Sequence, residues 1–273
     1  MPRMAWEREL ETCRDAARRA GEIALRHAAR GVSAETKPDR SPVTVADREC
    51  EQAIVSVLRA AFPEDGILGE EGSRAEAPSG RRWIVDPIDG TRDFLRGLPG
   101  WSNLVALEVE GEPVVGVCNL AAIGELYWAA QSEGAWVETA RGGSRPIHVS
   151  RVERRDEAVA CLTAFNDLRK HPFAERTLEF LSGFWAVRSF SGCQDAIFVA
   201  SGRAEVWIEL GAASWDLAPL KVIAEEAGAR FFNFDGRASI HGGNCVICVP
   251  ALEPEIRAFL DGRTLAGAPS GGC

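Results

Sequence analysis

Two aspartates three residues apart, Asp86 and Asp89, form the densest candidate site in the chain. They belong to the segment Asp86-Pro-Ile-Asp-Gly-Thr91, which follows an apolar run at 83–85. Carboxylate oxygens are the ligands that hard cations such as Mg²⁺ prefer. We predict that a strand delivers Asp86, ends at Pro87 and leads into a tight turn. The segment lacks the spacing of an EF-hand loop; taken alone it also fits a plain Asp/Gly chain reversal.

Three further acidic segments are weaker when each is taken alone. Glu70 lies in Gly-Glu-Glu-Gly (69–72), where paired glutamates also suit a solvated surface. Asp216 opens a predicted helix, where an acid complements the helix dipole. Thr44 and Asp47 fit a capping box for another helix. Each therefore has an ordinary structural interpretation beside a functional one.

The composition excludes several classes of protein. The 273 residues carry a formal charge of −9 without a stripe of Lys or Arg, so we expect neither a nucleic-acid nor a membrane partner. No apolar run approaches the ~20 residues of a membrane span, and the charged first 20 residues do not fit a signal peptide. Eight scattered cysteines suggest reduced thiols and a cytoplasmic location. Cys245 and Cys248 lack the second pair of a zinc site and are expected in a buried strand.

The elements that must position these acids change character near residue 150. Apolar spacing predicts helices at 6–28 and around 54–61. Short runs from 103 to 149, separated by turns, predict an antiparallel meander. Beyond 150, strand-like runs alternate with helical segments at 173–182, 194–201, 216–227 and 252–261, which indicates an α/β lobe. We predict an N-terminal α+β lobe, 1–150, and a C-terminal α/β lobe, 151–273.

Together, the acidic segments resemble the inositol monophosphatase family of magnesium-dependent, lithium-sensitive phosphatases. Their order is that of the family: 69–71, then 86–91, then Trp215-Asp216 leading into 225–228. The resemblance covers roughly residues 10–262. It implies an α/β fold, a layered αβαβα sandwich of the inositol monophosphatase and fructose-1,6-bisphosphatase type, with the metals at the seam between the lobes. Homodimers are also expected from it.

The resemblance implies two to three Mg²⁺ ions per active site. Glu70, Asp86 and the backbone carbonyl of Ile88 would hold the first ion. Asp86, Asp89 and Asp216 would hold the second, with Asp86 as the bridge. Glu70 would also orient the water at a weaker third site. Two cations would neutralise the phosphate monoester, lower the pKa of the attacking water and stabilise the leaving group.

Catalytic roles are implied for Glu70, Thr91 and Asp47, with Thr91 and Asp47 taking the proton of the water. The N–H groups of Gly90 and Thr91 would cradle the phosphate. Water would attack directly, without a phosphoenzyme. The full set of expected substrate contacts is Asp89, Gly90, Thr91, Asp195, Glu209 and Asp216.

The substrate is the least determined feature. Trp101 and the segment 241–244 resemble the histidinol-phosphatase branch, which favours histidinol phosphate slightly. Glu209 lies seven residues before Asp216, as in inositol-specific members, although it also suits the end of a strand. Inositol phosphates and nucleotide 3′-phosphates remain alternatives, as does a catalytically silent regulator. The segment 191–195 departs from the family pattern, and we expect Asp195 to substitute there in recognising a cationic or hydroxylated group of the substrate.

Overall fold

The computed structural model describes residues 5–31, 33–36 and 42–263. Its helices and strands, in chain order, are α1 (Glu7–Arg30), β1 (Ala34–Thr36), β2 (Pro42–Thr44), α2 (Val45–Ala61), β3 (Gly66–Gly69), β4 (Arg74–Ala75), β5 (Arg81–Asp89), α3 (Thr91–Leu95), β6 (Ser102–Val109), β7 (Glu112–Leu120), β8 (Glu125–Ala130), β9 (Ala135–Thr139), β10 (Ser144–Ile147), β11 (Val159–Thr163), α4 (Thr177–Ser182), β12 (Ala186–Arg188), α5 (Gly192–Ala200), β13 (Val206–Glu209), α6 (Ser214–Glu226), β14 (Arg230–Phe232), β15 (Cys245–Cys248) and α7 (Glu253–Asp261).

A large sheet is built from the first half of the chain. Its strand order is β10-β9-β8-β7-β6-β5-β3-β4. From β5 to β10 each strand pairs antiparallel with the next, which is the predicted meander. The strand β3 runs parallel to β5, so the residues that follow Gly69 emerge beside the carboxyl end of β5. That edge carries Glu70 and the aspartates.

A smaller sheet comes from the second half, in the order β12-β11-β13-β15-β14. The first three strands are parallel, and β15 pairs antiparallel with both β13 and β14. Thr163, Glu209 and Cys245 are register neighbours at one end. This end faces the cleft described below.

Three buried apolar clusters hold five layers together, and the middle cluster spans both faces of the central helical layer. One cluster joins α1 and α2 to the large sheet. A second lies between the two sheets and takes its side chains from both of them, with α5 and α6 between. The third joins the small sheet to α4 and α7. The order is therefore α, β, α, β, α, which confirms the predicted sandwich. Since the middle cluster draws on both halves of the chain, a boundary near 150 stays a prediction.

The prediction that the strand ends at Pro87 is wrong. Strand β5 continues to Asp89, through an irregularity between Asp86 and Asp89. Proline has no N–H to donate to the ladder, and it is tolerated where a bulge interrupts the pairing. Smaller differences concern element ends: the helix expected at 173–182 is α-helical at Thr177–Ser182, after a 3₁₀ turn.

The described cysteines lie in the core as free thiols, as the sequence predicts for Cys245 and Cys248. Seven cysteines are buried free thiols, among them Cys245 and Cys248 in β15, whereas Cys273 lies outside the described residues. Across the described ranges, no helix has both the length and the apolar character that a membrane span requires.

Candidate active site

The irregularity in β5 determines where its two aspartates point. Asp86 is paired with Leu104, but Asp89 is paired with Ser102, so the register has shifted by one residue. In a regular strand, side chains three positions apart point to opposite faces. The extra residue of a bulge cancels that alternation. Asp86 and Asp89 consequently converge with Asp216, and one carboxylate oxygen of each lies within 4.8 Å of those of the other two.

Asp216 reaches this cluster from the first turn of α6. One of its oxygens, Oδ2, accepts a hydrogen bond from the Ala213 N–H at 2.7 Å, which is the backbone half of a capping box. That bond fixes the side chain at the helix N-terminus. Asp216 is therefore both an acid at the start of α6 and a member of the acidic cluster, so its structural and functional interpretations from the sequence are compatible.

Glu70 lies on the loop after β3 and next to Asp86, close enough for a side-chain hydrogen bond. Its backbone N–H donates to the Val85 carbonyl at 3.1 Å. The loop is also held from below by Glu51, whose buried carboxylate accepts from the N–H groups of Glu71 and Ser73, both at 2.8 Å. Sequence reasoning missed Glu51.

A signal for Glu51 was nevertheless present. It follows Asp47 by one turn of α2 and lies on the same buried stripe as Ile54 and Leu58. An acid on such a stripe needs buried donors. Gly69 makes room for it, since a Cβ there would lie 2.4 Å from Glu51 Oε2.

Burial and mutual repulsion raise the pKa values of the clustered acids. The pKa of Asp86 is raised well above its usual range by burial and then by Glu70, Asp89 and Asp216. Burial raises the pKa of Asp89 to about 6, and the neighbouring Cys193 offsets part of this rise in the pKa. Burial and Asp89 raise that of Asp216 to about 8. Carboxylates gathered in this way are costly unless cations join them.

The same acids have spare ligand capacity. Asp86 Oδ1 and Asp89 Oδ2 are buried atoms without a hydrogen-bond partner in the described part of the chain. Buried polar atoms are nearly always satisfied, so an orphan next to another carboxylate needs an explanation. All-oxygen donors of net negative charge suit a hard divalent cation. The residues present therefore fit such an ion.

Thr91 and Asp47 meet beside the cluster. Thr91 Oγ1 lies 3.3 Å from Asp47 Oδ1 and 3.1 Å from the carbonyl of Ile88, so its single proton has two acceptors. The other oxygen of Asp47 accepts from the N–H of Thr44 at 2.8 Å and from its hydroxyl at 2.6 Å. Asp47 thus completes the capping box with one oxygen and reaches Thr91 with the other. Its pKa is raised, mainly by burial.

A cleft of about 360 Å³ opens over the cluster. Glu70, Asp89, Gly90, Thr91 and Asp216 form one wall. The opposite wall comes from the small sheet and the start of α5, and contains Thr163, Ser191, Gly192, Cys193, Trp207 and Glu209. Its size suits a small organic ligand.

Glu209 is the acid of this second wall. Its carboxylate accepts from Thr163 Oγ1 at 2.6 Å and from the Gly211 N–H at 3.1 Å. Burial raises its pKa to about 7. Gly192 faces it without a side chain, since a Cβ there would lie 3.4 Å from Glu209 Oε2. A fixed acid thus faces open space across from the cluster.

Asp195 is placed differently from Glu209. It is fully buried in the first turns of α5 and is not part of the cleft wall. Both of its oxygens accept from the Phe190 N–H, at 3.1 and 3.2 Å, and burial raises its pKa to about 6. In this position it holds the turn that leads into α5.

The segments that favoured histidinol phosphate also lie outside the lining of the cleft. Trp101 is 2% exposed and packs edge-on against Phe94. His241 is in a loop, with Nε2 3.5 Å from Glu108 of β6. Gly243 is nearer, because its carbonyl accepts from the N–H of Ala212, which lines the cleft. Among these residues, Gly243 contacts the cleft lining through its backbone, whereas Trp101 and His241 lie outside that lining.

Comparison with known proteins gives a consistent picture. A sequence profile described as the inositol monophosphatase family matches residues 6–266. The histidinol-phosphatase of Mycobacterium tuberculosis is 37% identical over 89% of this chain and 94% of its own length. That of Chlorobaculum parvum is 37% identical over 88% and 91%. The solved structure of an IMPase from Thermotoga maritima superposes with a TM-score of 0.82 at 28% identity, over 93% of this chain and 97% of that one.

Proposed function

The chain belongs to the inositol monophosphatase family of phosphoric monoester hydrolases, and on this premise we propose that it is a Mg²⁺-dependent histidinol-phosphatase. The observation that carries the metal dependence is the buried cluster with its two orphaned oxygens, Asp86 Oδ1 and Asp89 Oδ2. The cleft above it is of a size for a small phosphate ester.

We assign the ligands as the family resemblance implies. Glu70, Asp86 and the Ile88 carbonyl would hold one ion, and Asp86, Asp89 and Asp216 would hold the next, with two to three Mg²⁺ expected in all. When bound, these ions neutralise the phosphate dianion, acidify the attacking water and stabilise the leaving alkoxide. The raised pKa values of Asp86, Asp89 and Asp216 support the assignment, since only cations make a fully ionised cluster affordable at neutral pH.

The chain's own groups handle the proton and the phosphate. Thr91 Oγ1 takes the proton of the attacking water as it passes its own proton to Asp47 Oδ1, 3.3 Å away. The raised pKa of Asp47 makes it a better acceptor than an exposed aspartate. The N–H groups of Gly90 and Thr91 hold phosphate oxygens, and Gly90 reaches the required backbone geometry with φ = 80°. Water attacks phosphorus directly in this proposal.

Histidinol phosphate is the substrate favoured by similarity. Histidinol-phosphatases match at 33–37% identity over 84–89% of the chain, against 32% identity over 84% of the chain for an inositol monophosphatase. Glu209 suits either substrate, because a carboxylate can pair with an ammonium or imidazolium group or accept from ring hydroxyls. The second candidate is therefore an inositol phosphate.

The test compares kcat/KM for L-histidinol phosphate, myo-inositol 1-phosphate and adenosine 3′,5′-bisphosphate at one Mg²⁺ concentration. We expect the first to lead. A preference for either other ester would overturn the substrate, while leaving the phosphatase activity in place. Absence of phosphate release from all three would count against the proposal as a whole.

Three finer properties complete the proposal: inhibition by lithium, a cytoplasmic location and a homodimer. Loosely held Mg²⁺ at a carboxylate site supports competition by Li⁺, which a lithium titration of activity tests. The seven buried thiols fit a reducing compartment. Exposed Trp185 and Phe190 flank the edge strand β12 and offer an apolar surface for a second copy, to be tested by light scattering. A silent regulator is not supported, because every implied ligand is retained.

A further inference from the structure

A chain of buried amides runs from α1 to the metal motif through the large sheet. Asn119 Nδ2 donates to the Ala17 carbonyl of α1 at 2.9 Å and to Asn103 Oδ1 at 3.1 Å. Asn103 Nδ2 in turn donates to the Pro87 carbonyl at 2.6 Å. Asn103 is 0% exposed and Asn119 6%. Helix α1 packs closely against these amides, since a Cβ on Gly21 would lie 2.3 Å from Asn119 Nδ2.

The Pro87 carbonyl, which accepts the last of these hydrogen bonds, is part of the bulge. Pro87 and Ile88 have no register partner on β6, whereas Asp86 and Asp89 on either side do. A carbonyl released from the ladder must find another donor if it is buried. The side chain of Asn103 supplies that donor from the neighbouring strand.

The direction of this bond decides where the carboxylates point. Asn103 follows Ser102, the register partner of Asp89, so it faces the side of the sheet opposite to Asp89. Its bond draws the Pro87 carbonyl toward α1. The extra residue is thereby accommodated on the α1 side, while Asp86 and Asp89 stay together on the cleft side.

We propose that Asn103 is a positioning residue for the cation cluster, which it serves by fixing the Pro87 carbonyl and so the one-residue register shift between Asp86 and Asp89. Asn119 orients the Asn103 amide and ties it to α1. This inference rests on the proposed function, because it assumes that the cluster binds Mg²⁺. It concerns residues that do not touch the ion.

The experiment measures Mg²⁺ binding directly, by calorimetry on metal-free protein, together with the melting temperature. Asn103→Ala is expected to raise the Kd for Mg²⁺ by about tenfold, the range for loss of an outer-shell partner. Asn119→Ala removes a matched buried amide that lies one hydrogen bond further from Pro87, and it is expected to raise the Kd for Mg²⁺ less. Thr177→Val, which removes a buried hydrogen bond on α4, serves as the control for stability alone.

Activity adds a second readout. Excess Mg²⁺ is expected to restore most of the kcat of Asn103→Ala, with little change in KM for the ester. Asn103→Ser, whose hydroxyl is too short to reach Pro87, leaves a smaller cavity and is expected to match the alanine variant in Mg²⁺ affinity.

A folded Asn103→Ala or Asn103→Ser protein with the wild-type Kd for Mg²⁺ would overturn the inference. So would failure of both variants to fold, because the effect is assigned to the bulge alone. If the wild-type protein itself bound no Mg²⁺, the proposed function would fall, and that outcome is distinct from either of the others.

Discussion

The two walls of the cleft are built in opposite ways. On the large sheet, the acids are held by backbone bonds and by buried partners such as Glu51 and Asn103. On the small sheet, Glu209 accepts from Thr163 and Gly211, and the approach to α5 carries the half-exposed Phe190. The first wall is preorganised for one kind of chemistry, whereas the second leaves open space beside a single acid. We therefore expect chemistry and specificity to be set by different parts of the chain.

The largest effect is expected from Asp86→Asn, which removes charge from the centre of the first wall. Turnover should fall by more than about 100-fold, since loss of even an outer-shell partner costs about 10–100-fold. The metal-free variant should melt no lower than wild type, because one repelling carboxylate is gone. Phosphate release and thermal melting measure the two effects. Near-normal turnover would show that the cluster is not the catalytic centre.

The proton relay is the next largest expected effect. Thr91→Ala should lower kcat by about 100-fold with KM little changed, as for a lost general base. Asp47→Asn should lower kcat as well. Thr44→Ala is the matched control, because it breaks the same capping box without touching Thr91 and should cost only stability, about 1 kcal/mol. If Asp47→Asn behaved like Thr44→Ala, Asp47 would be a helix cap and nothing more.

The second wall is tested by Glu209→Gln. We expect kcat/KM for histidinol phosphate to fall about tenfold, within the range for a hydrogen bond to a charged group, while the Kd for Mg²⁺ stays unchanged. Asp195→Asn separates the two predicted rim acids, because its buried bonds to Phe190 predict lost stability without a change in substrate ranking. A shift in Mg²⁺ affinity in Glu209→Gln would break the division between the walls.

The smallest effect on turnover is expected from the last property, the stability of the metal-free protein, which should depend on pH. In the folded protein the pKa of Asp89 is raised to about 6 and that of Asp216 to about 8, against 3.8 for an ordinary aspartate. Between these limits the folded state binds more protons than the unfolded chain, so stability should fall as pH rises from about 4 to 8. The melting temperature in chelator should therefore drop over this pH range, and the drop should shrink with Mg²⁺. Stability that rises with pH in chelator would contradict this assignment.

The first wall could be predicted from the sequence more completely than the second, and the reason is physical. The meander, the alternating second half and the layered sandwich follow from local periodicity, which a single chain displays. Asp86, Asp89 and Thr91 lie within six residues, so their association needed no knowledge of the fold. The bulge was different, because Pro87 locally favours a strand end and its tolerance depends on pairing with β6.

The supporting residues were beyond local reasoning. Asn103 and Asn119 each occupy strand positions where a polar residue could equally face solvent. Their burial is explained by the close approach of α1 at Gly21, which the sequence does not reveal. Asp195 shows the converse: its type suited a substrate contact, but the start of α5 buries it. The residues of the second wall and the Gly243 carbonyl that contacts it are spread from 163 to 243, so no single motif could reveal their arrangement.

The most direct test of the central claim uses the unmodified protein and one substrate. Phosphate release from L-histidinol phosphate is measured after exhaustive chelation, and again after Mg²⁺ is added back. We predict no turnover in the chelated protein and full recovery with Mg²⁺, with saturation as the cluster fills. Equal phosphate release with and without Mg²⁺ would contradict the assignment of Asp86, Asp89 and Asp216 as a catalytic cation site.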